Sequence, residues 1–101
     1  MELSAYRGKD NIEKVAFNQD EQPLNFDTAG VTAIKLLVKD EQIAAEITGD
    51  DRNVVAIKTG ALTLRPGTYD GFIVAISPED PNGVVIAGPG QTVELTVRVV
   101  L

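Results

Sequence analysis

Apolar side chains in this chain return at every second residue in short runs, and no stretch of useful length repeats them at the 3.6-residue spacing of a helix. That confines the chain to β structure. In TVELTVRVVL, Val93, Leu95, Val97, Val99 and Leu101 alternate with Glu94, Thr96, Arg98 and Val100, as in a strand with one face buried. VTAIKLLVK puts Thr32, Ile34, Leu36 and Val38 on one face and Lys35, Leu37 and Lys39 on the other. After DEQ, the run Ile43 to Thr48 reads as its hairpin partner, GDDRN as the next turn, and Val54 to Lys58 as a further strand. IEKVAF reads as a strand with Ile12 and Phe17 at its ends, NQDEQP as a break, and PLNFDTAG as a short extended piece bracketed by proline and glycine. SPEDPNG and GPGQ are turns on either side of VVIA. Seven or more short strands between turns predict an all-β antiparallel sandwich, with no helix longer than one turn.

The 101 residues suffice for one hydrophobic core, so the expectation is a single domain over residues 1–101. Nine Lys and Arg against fifteen Asp and Glu give a formal charge of −6, which repels phosphate backbones and anionic membranes; neither nucleic acid nor membrane is an expected partner. The chain has no cysteine and no histidine, which removes thiolate chemistry, the commonest general base and the commonest nitrogen ligand for a metal. An enzyme and a cofactor are therefore not expected. MELSAYRGKDN has no basic region followed by an apolar stretch, so the expectation is synthesis in the cytoplasm without a signal peptide.

LTLRPGTYDGFIVAI, Leu62 to Ile76, joins two features. Leu64, Pro66, Gly67 and Tyr69 form L-x-P-G-x-Y, which resembles the tyrosine corner of Greek-key sandwiches, where the hydroxyl bonds back to nearby backbone. Beyond it the run is apolar at consecutive positions, with Gly71, Ile73 and Ala75 on one face and Phe72, Val74 and Ile76 on the other. One face serves the core. The other is covered either by a loop or edge segment of the same chain or by a partner. Phe72, Val74, Ile76, Val84 and Ile86 are the candidate interface residues.

Chemical motifs are sparse. FDTAG resembles the Asp-Thr-Gly of dimeric aspartic proteases, but Ala29 occupies the place of the glycine that lets the paired loops approach; Asp27 and Thr28 read more simply as turn residues. GPGQ, Gly88 to Gln91, lacks the Lys-Ser/Thr pair and following helix of a phosphate loop. Asp50, Asp51, Glu79 and Asp80 offer hard oxygens to calcium, although neither cluster has the spacing of an EF-hand loop. They support an alternative reading, a small module that binds calcium or a glycan through its acidic loops.

SAYRGKDNIEKVAFNQDEQPLNFDTAGVTAIKLLVKD resembles the opening of immunoglobulin-like domains in tailed-bacteriophage virion proteins, including the N-terminal domain of baseplate upper proteins. The matching elements are Gly8-Lys9-Asp10, Ile12 to Phe17, Gln22-Pro23-Leu24-Asn25-Phe26 and Val31 to Val38, and LRPGTYDGFIVAISPEDPNGVVIAG is similar to the later strand and Pro-Asn-Gly loop of such domains. Glu21 stands where a glycine commonly precedes the Gln-Pro step. The resemblance implies an immunoglobulin-like antiparallel β-sandwich with Greek-key topology. It also implies a non-enzymatic structural or assembly role in a phage or prophage virion, in tail, baseplate or head decoration. The partners it implies are other virion proteins or further copies of the same chain, and the location is the virion.

Overall fold

The computed structural model describes residues 1–101. The strands in chain order are β1 (Glu2–Tyr6), β2 (Ile12–Ala16), β3 (Asn18–Gln19), β4 (Gln22–Pro23), β5 (Ala33–Val38), β6 (Glu41–Thr48), β7 (Val54–Lys58), β8 (Gly67–Ile76), β9 (Val84–Ala87) and β10 (Thr96–Val100), with one 3₁₀ turn at Thr59–Ala61. The molecule is all-β, as its alternation predicts.

Eight strands form one sheet that runs β1-β10-β8-β5-β6-β7-β2, with β9 beside β8, and folds over on itself into a sandwich close to a barrel. β6 makes the fold-over. Its first half, Glu41–Ala45, pairs with β5, and its second half, Glu46–Thr48, with β7. β8 is shared in the same way along one edge: Gly67–Asp70 pairs with β10 and Ile73–Ala75 with β9, while β5 lies along Gly71–Ile76 on the other side. Two-residue strands β3 and β4 form a small separate hairpin.

The inward residues follow the two-residue period. Ile34, Leu36 and Val38 of β5, Val55 and Ile57 of β7, Ile73 of β8 and Val97 and Val99 of β10 are buried in one core with Leu3, Val15, Phe26 and Leu95. Rings of Phe17 and Phe26 meet edge to face, their centroids 5.6 Å apart at 69°, an arrangement aromatic quadrupoles favour.

The structure departs from the sequence expectation at several points. The sheet is not wholly antiparallel: β1 lies parallel to β10, with Leu3 opposite Val97 and Ala5 opposite Val99, so the inward residues of both strands coincide. Leu101 ends the chain beyond β10 and is 82% exposed, outside the alternation that predicts it inside. Ile12 is 52% exposed because Val15 and Phe17 take the inward positions of that run, and residue 12 has the opposite parity. NQDEQP is more than a break: Asp20 and Glu21, with φ of 52° and 63°, make the two-residue turn of the β3–β4 hairpin, both in the positive region that a type I′ turn requires. PLNFDTAG is extended only at its start, where Pro23 belongs to β4; Phe26–Gly30 is a turn, for Asn25 Oδ1 accepts the Thr28 N–H at 3.0 Å and Val31 N–H bonds Phe26 O at 2.9 Å.

Candidate functional site

Leu64, Pro66, Gly67 and Tyr69 sit where the chain enters β8. Tyr69 packs its ring against the core and donates its hydroxyl to the Arg65 carbonyl at 2.7 Å, the back-bond of a tyrosine corner. Leu64 packs against the same core, and Lys39 Nζ stands 5.5 Å from the Tyr69 ring centroid, within cation–π range. These residues hold a bend and leave no reactive group free.

The outer face of β8 is where the apolar surface lies. Gly71, Ile73 and Ala75 point inward, and Phe72, Val74 and Ile76 point outward, opposite Leu37, Lys35 and Ala33 of β5. Same-chain cover accounts for part of this face. The loop from Ser77 to Gly83 folds back until Gly83 touches Val74, which is only 7% exposed; a Cβ on Gly83 would overlap Val74 Cγ1. Gly83 also has φ +88°, so its lack of a side chain meets two demands at once. Gly88 packs in turn against Phe72 Cδ1. Phe72 and Ile76 stay half-buried.

β9 extends this surface with a change of register. A bulge between Ile73 and Val74 sets Ala87 opposite Ile73, Val85 opposite Val74 and Val84 opposite Ala75. Ile86 is the extra residue and packs against the core, while Val84 and Val85 are 47% and 37% exposed. The five candidate interface residues therefore divide. Val74 is covered by its own chain and Ile86 is turned inward, both corrections to the sequence expectation. Phe72, Ile76 and Val84 keep accessible surface; the bulge sets Val85 opposite Val74, on the outward face with Phe72 and Ile76, whereas Val84, opposite Ala75, is exposed on the other face.

The acidic loops do not form a cation site. Asp50-Asp51 lies in the β6–β7 turn and Glu79-Asp80 in the β8–β9 loop, all four exposed. No three acidic residues anywhere in the chain come close enough together to hold a metal ion. Asp27 of FDTAG pairs with Arg52 Nε at 2.8 Å and serves to tie two turns together. GPGQ closes as a turn, Gln91 N–H bonding Gly88 O at 3.0 Å.

Glu41, at the start of β6, accepts both the hydroxyl and the backbone N–H of Thr63, the latter at 2.7 Å. The Thr63 hydroxyl and N–H together hold its carboxyl below the usual range. This contact fastens the β5–β6 hairpin end to the strand-free segment before the corner. No helix is long and apolar enough to cross a membrane. Comparison with protein-family models, with curated proteins and with solved structures found no match to this chain.

Proposed function

We propose that this chain is a non-enzymatic structural or assembly protein of a phage or prophage virion, working through protein–protein contact in tail, baseplate or head decoration. The observation that supports the reading is the apolar surface on the β8–β9 side, where Phe72, Ile76 and Val85 share the outward face of the sheet and keep accessible surface, and Val84 is exposed beside them at the strand margin. Exposed apolar side chains that share one edge are a contact surface in want of a partner.

An immunoglobulin-like Greek-key sandwich fits this role. The Tyr69 back-bond, the parallel β1–β10 pair at one margin and the passage of β6 between the two layers all support that topology. The test is to purify phage particles from a culture induced to produce them from the genome that encodes this chain, and to measure the chain in the banded particles by quantitative mass spectrometry. The expected result is a fixed stoichiometric ratio to the major head or tail protein. Particles that assemble without the chain, with the chain left entirely in the lysate, would refute the reading.

A further inference from the structure

Three strands of the large sheet, β1, β2 and β9, have a single neighbour, and two of them are guarded. Along β1 lies the 3₁₀ turn, from which Thr59 Oγ1 donates to Ser4 O at 2.7 Å while the Gly60 carbonyl accepts the Gly8 N–H at 2.9 Å. β2 carries Glu13 opposite the buried Ile57, on the side of the strand that faces the core. A charge pointing inward from an edge strand is a device by which sheets refuse a further strand. β9 has neither protection: VVIA holds no charge and no proline, and no hydrogen bond outside the β8 ladder uses its N–H or C=O groups. Negative charge stands at both of its ends. From Pro66 to Val97 the chain has no lysine or arginine, while Asp70, Glu79, Asp80 and Glu94 all fall within that span. Glu79 and Asp80 lie in the exposed loop that leads into β9. After β9, Pro89 and Gly90 share an open hollow with Glu2, Asp70 and Glu94. Three carboxylates there meet two cations, the Met1 ammonium, which bonds the Glu94 carbonyl at 3.0 Å, and Arg98, 3.8 Å from Glu2. Asp70, Glu79, Asp80 and Glu94 make no ion pair.

We propose that β9 is a docking edge for an extended segment of a different protein, a short β-branched apolar run flanked at both ends by lysine or arginine. The proposal rests on the reading that this side of the molecule makes protein contacts, and it names the chemistry of the partner. Pairing beside β9 supplies main-chain hydrogen bonds, and alternate side chains of the guest supply specificity. Guest residues on the outward face cover Val85 next to Phe72, and those on the other face cover Val84, so the run is apolar at successive positions. Its basic flanks then lie against Glu79 and Asp80 at one end and Asp70 and Glu94 at the other, where opposite charge draws the right partner and turns away an acidic one. Lys35 is on the same outward face, but beyond β8, where it donates to Gln42 Oε1 at 3.4 Å. A second folded copy cannot supply such a segment. The runs of this chain that have basic residues on both sides of an apolar stretch, residues 35–39 and 52–58, belong to the central strands β5 and β7, each paired along both edges. The single-neighbour strands carry acids instead, Glu2 in β1 and Glu13 in β2.

The probe is a peptide of four valines between two lysines at each end, which presents the same charges in either direction, titrated into the isotopically labelled chain and followed by its amide resonances. A four-residue edge is short, so the expected Kd is about 0.1 mM, with the shifts centred on residues 84–87. Glutamate in place of the peptide lysines should weaken binding about tenfold or more, as should Asp70→Asn with Glu94→Gln, and salt raised from about 0.05 M to about 0.5 M should weaken it several-fold. N-methylation of the peptide backbone removes its donors at unchanged charge and should abolish binding. Val85→Lys, at an exposed position, should abolish it too, and circular dichroism with thermal melting verifies that each variant remains folded. A chain whose residues 84–87 do not respond to about 1 mM peptide would overturn the proposal. So would binding that persists undiminished with the N-methylated peptide, with the glutamate peptide or in Val85→Lys. A chain that ignores the peptide and still co-bands with particles refutes the docking edge alone, and one that binds the peptide but is absent from particles refutes the virion role alone.

Discussion

Gly83→Ala tests whether the β8–β9 loop rests on Val74. The added methyl meets two penalties: φ at +88° lies where an L side chain is strained, at about 1 kcal/mol, and its Cβ overlaps Val74 Cγ1, overpacking that costs about 1–3 kcal/mol. The expected destabilisation is therefore about 2–4 kcal/mol, read as a Tm lowered by some 4–8 °C for each kcal/mol in a domain of this size. Val74→Ala alone removes two methyl groups from a side chain only 7% exposed and costs about 1.5 kcal/mol. In the Val74→Ala background the steric part of the Gly83→Ala penalty disappears and only the backbone part remains. The double-mutant cycle in urea should thus give a favourable coupling of about 1–3 kcal/mol. Additivity to within about 0.5 kcal/mol would show that the loop does not press on Val74, and the account of how this face is covered would fail.

Gly60→Ala should be among the most damaging single changes, since its Cβ would strike the Lys9 carbonyl and lie 2.7 Å from Tyr6 O; loss of about 3 kcal/mol or more, with early amide exchange in Leu3 to Ala5, is the expected readout. Tyr69→Phe removes the bond to Arg65 O while leaving the ring beneath Lys39, and should cost about 1 kcal/mol in thermal or urea unfolding. Glu41 has its carboxyl lowered by Thr63, so its contribution is present above the unfolded carboxylate pKa and is lost as pH falls through the lower folded value. Comparing wild type with Glu41→Gln from about pH 6 to about pH 2 should show a stability difference that shrinks on acidification; a constant gap would contradict the assignment. Calcium at millimolar concentration should leave Tm unchanged, because Asp50-Asp51 and Glu79-Asp80 do not come together in a ligand set.

What was legible in the sequence was local. The alternation of Ile34, Leu36 and Val38, the hairpin after it (though its turn is Lys39-Asp40, with Glu41 and Gln42 of DEQ already in β6), the apolar run of β8 and the L-x-P-G-x-Y corner each lie within one segment and are set by the pleat or by turn chemistry. β1 was not, because it buries only Leu3 and Ala5 and finds its partner more than ninety residues away at Thr96–Val100. The β3–β4 turn carries Asp20-Glu21 where Asn-Gly would have announced it. At the candidate site the outward set Phe72, Val74 and Ile76 followed from parity, but its cover did not. Cover comes from Gly83 and Gly88, residues that signal turns and carry no side chain to leave a pattern. Val84, opposite Ala75, shares the inward side with Ile86 and yet is exposed, and the bulge opposite Ile73 and Val74 gives the outward position to Val85; neither is written in the alternation of VVIA.

The parallel pairing of β1 with β10 also determines how the protein answers a mechanical pull. Met1 lies beside Thr96 at one end of the pair, and Val100 lies beside Tyr6 at the other, one residue before Leu101. Tension applied between the two ends acts along the strands, so the cross-strand bonds from Glu2 to Tyr6 are loaded together in shear, where an antiparallel end would open them one by one. Rupture then requires them to fail in a single step. Resistance to stretching is therefore carried by the margin where the first and last strands meet, and its measure is the forced rate of unfolding, which an equilibrium stability does not report.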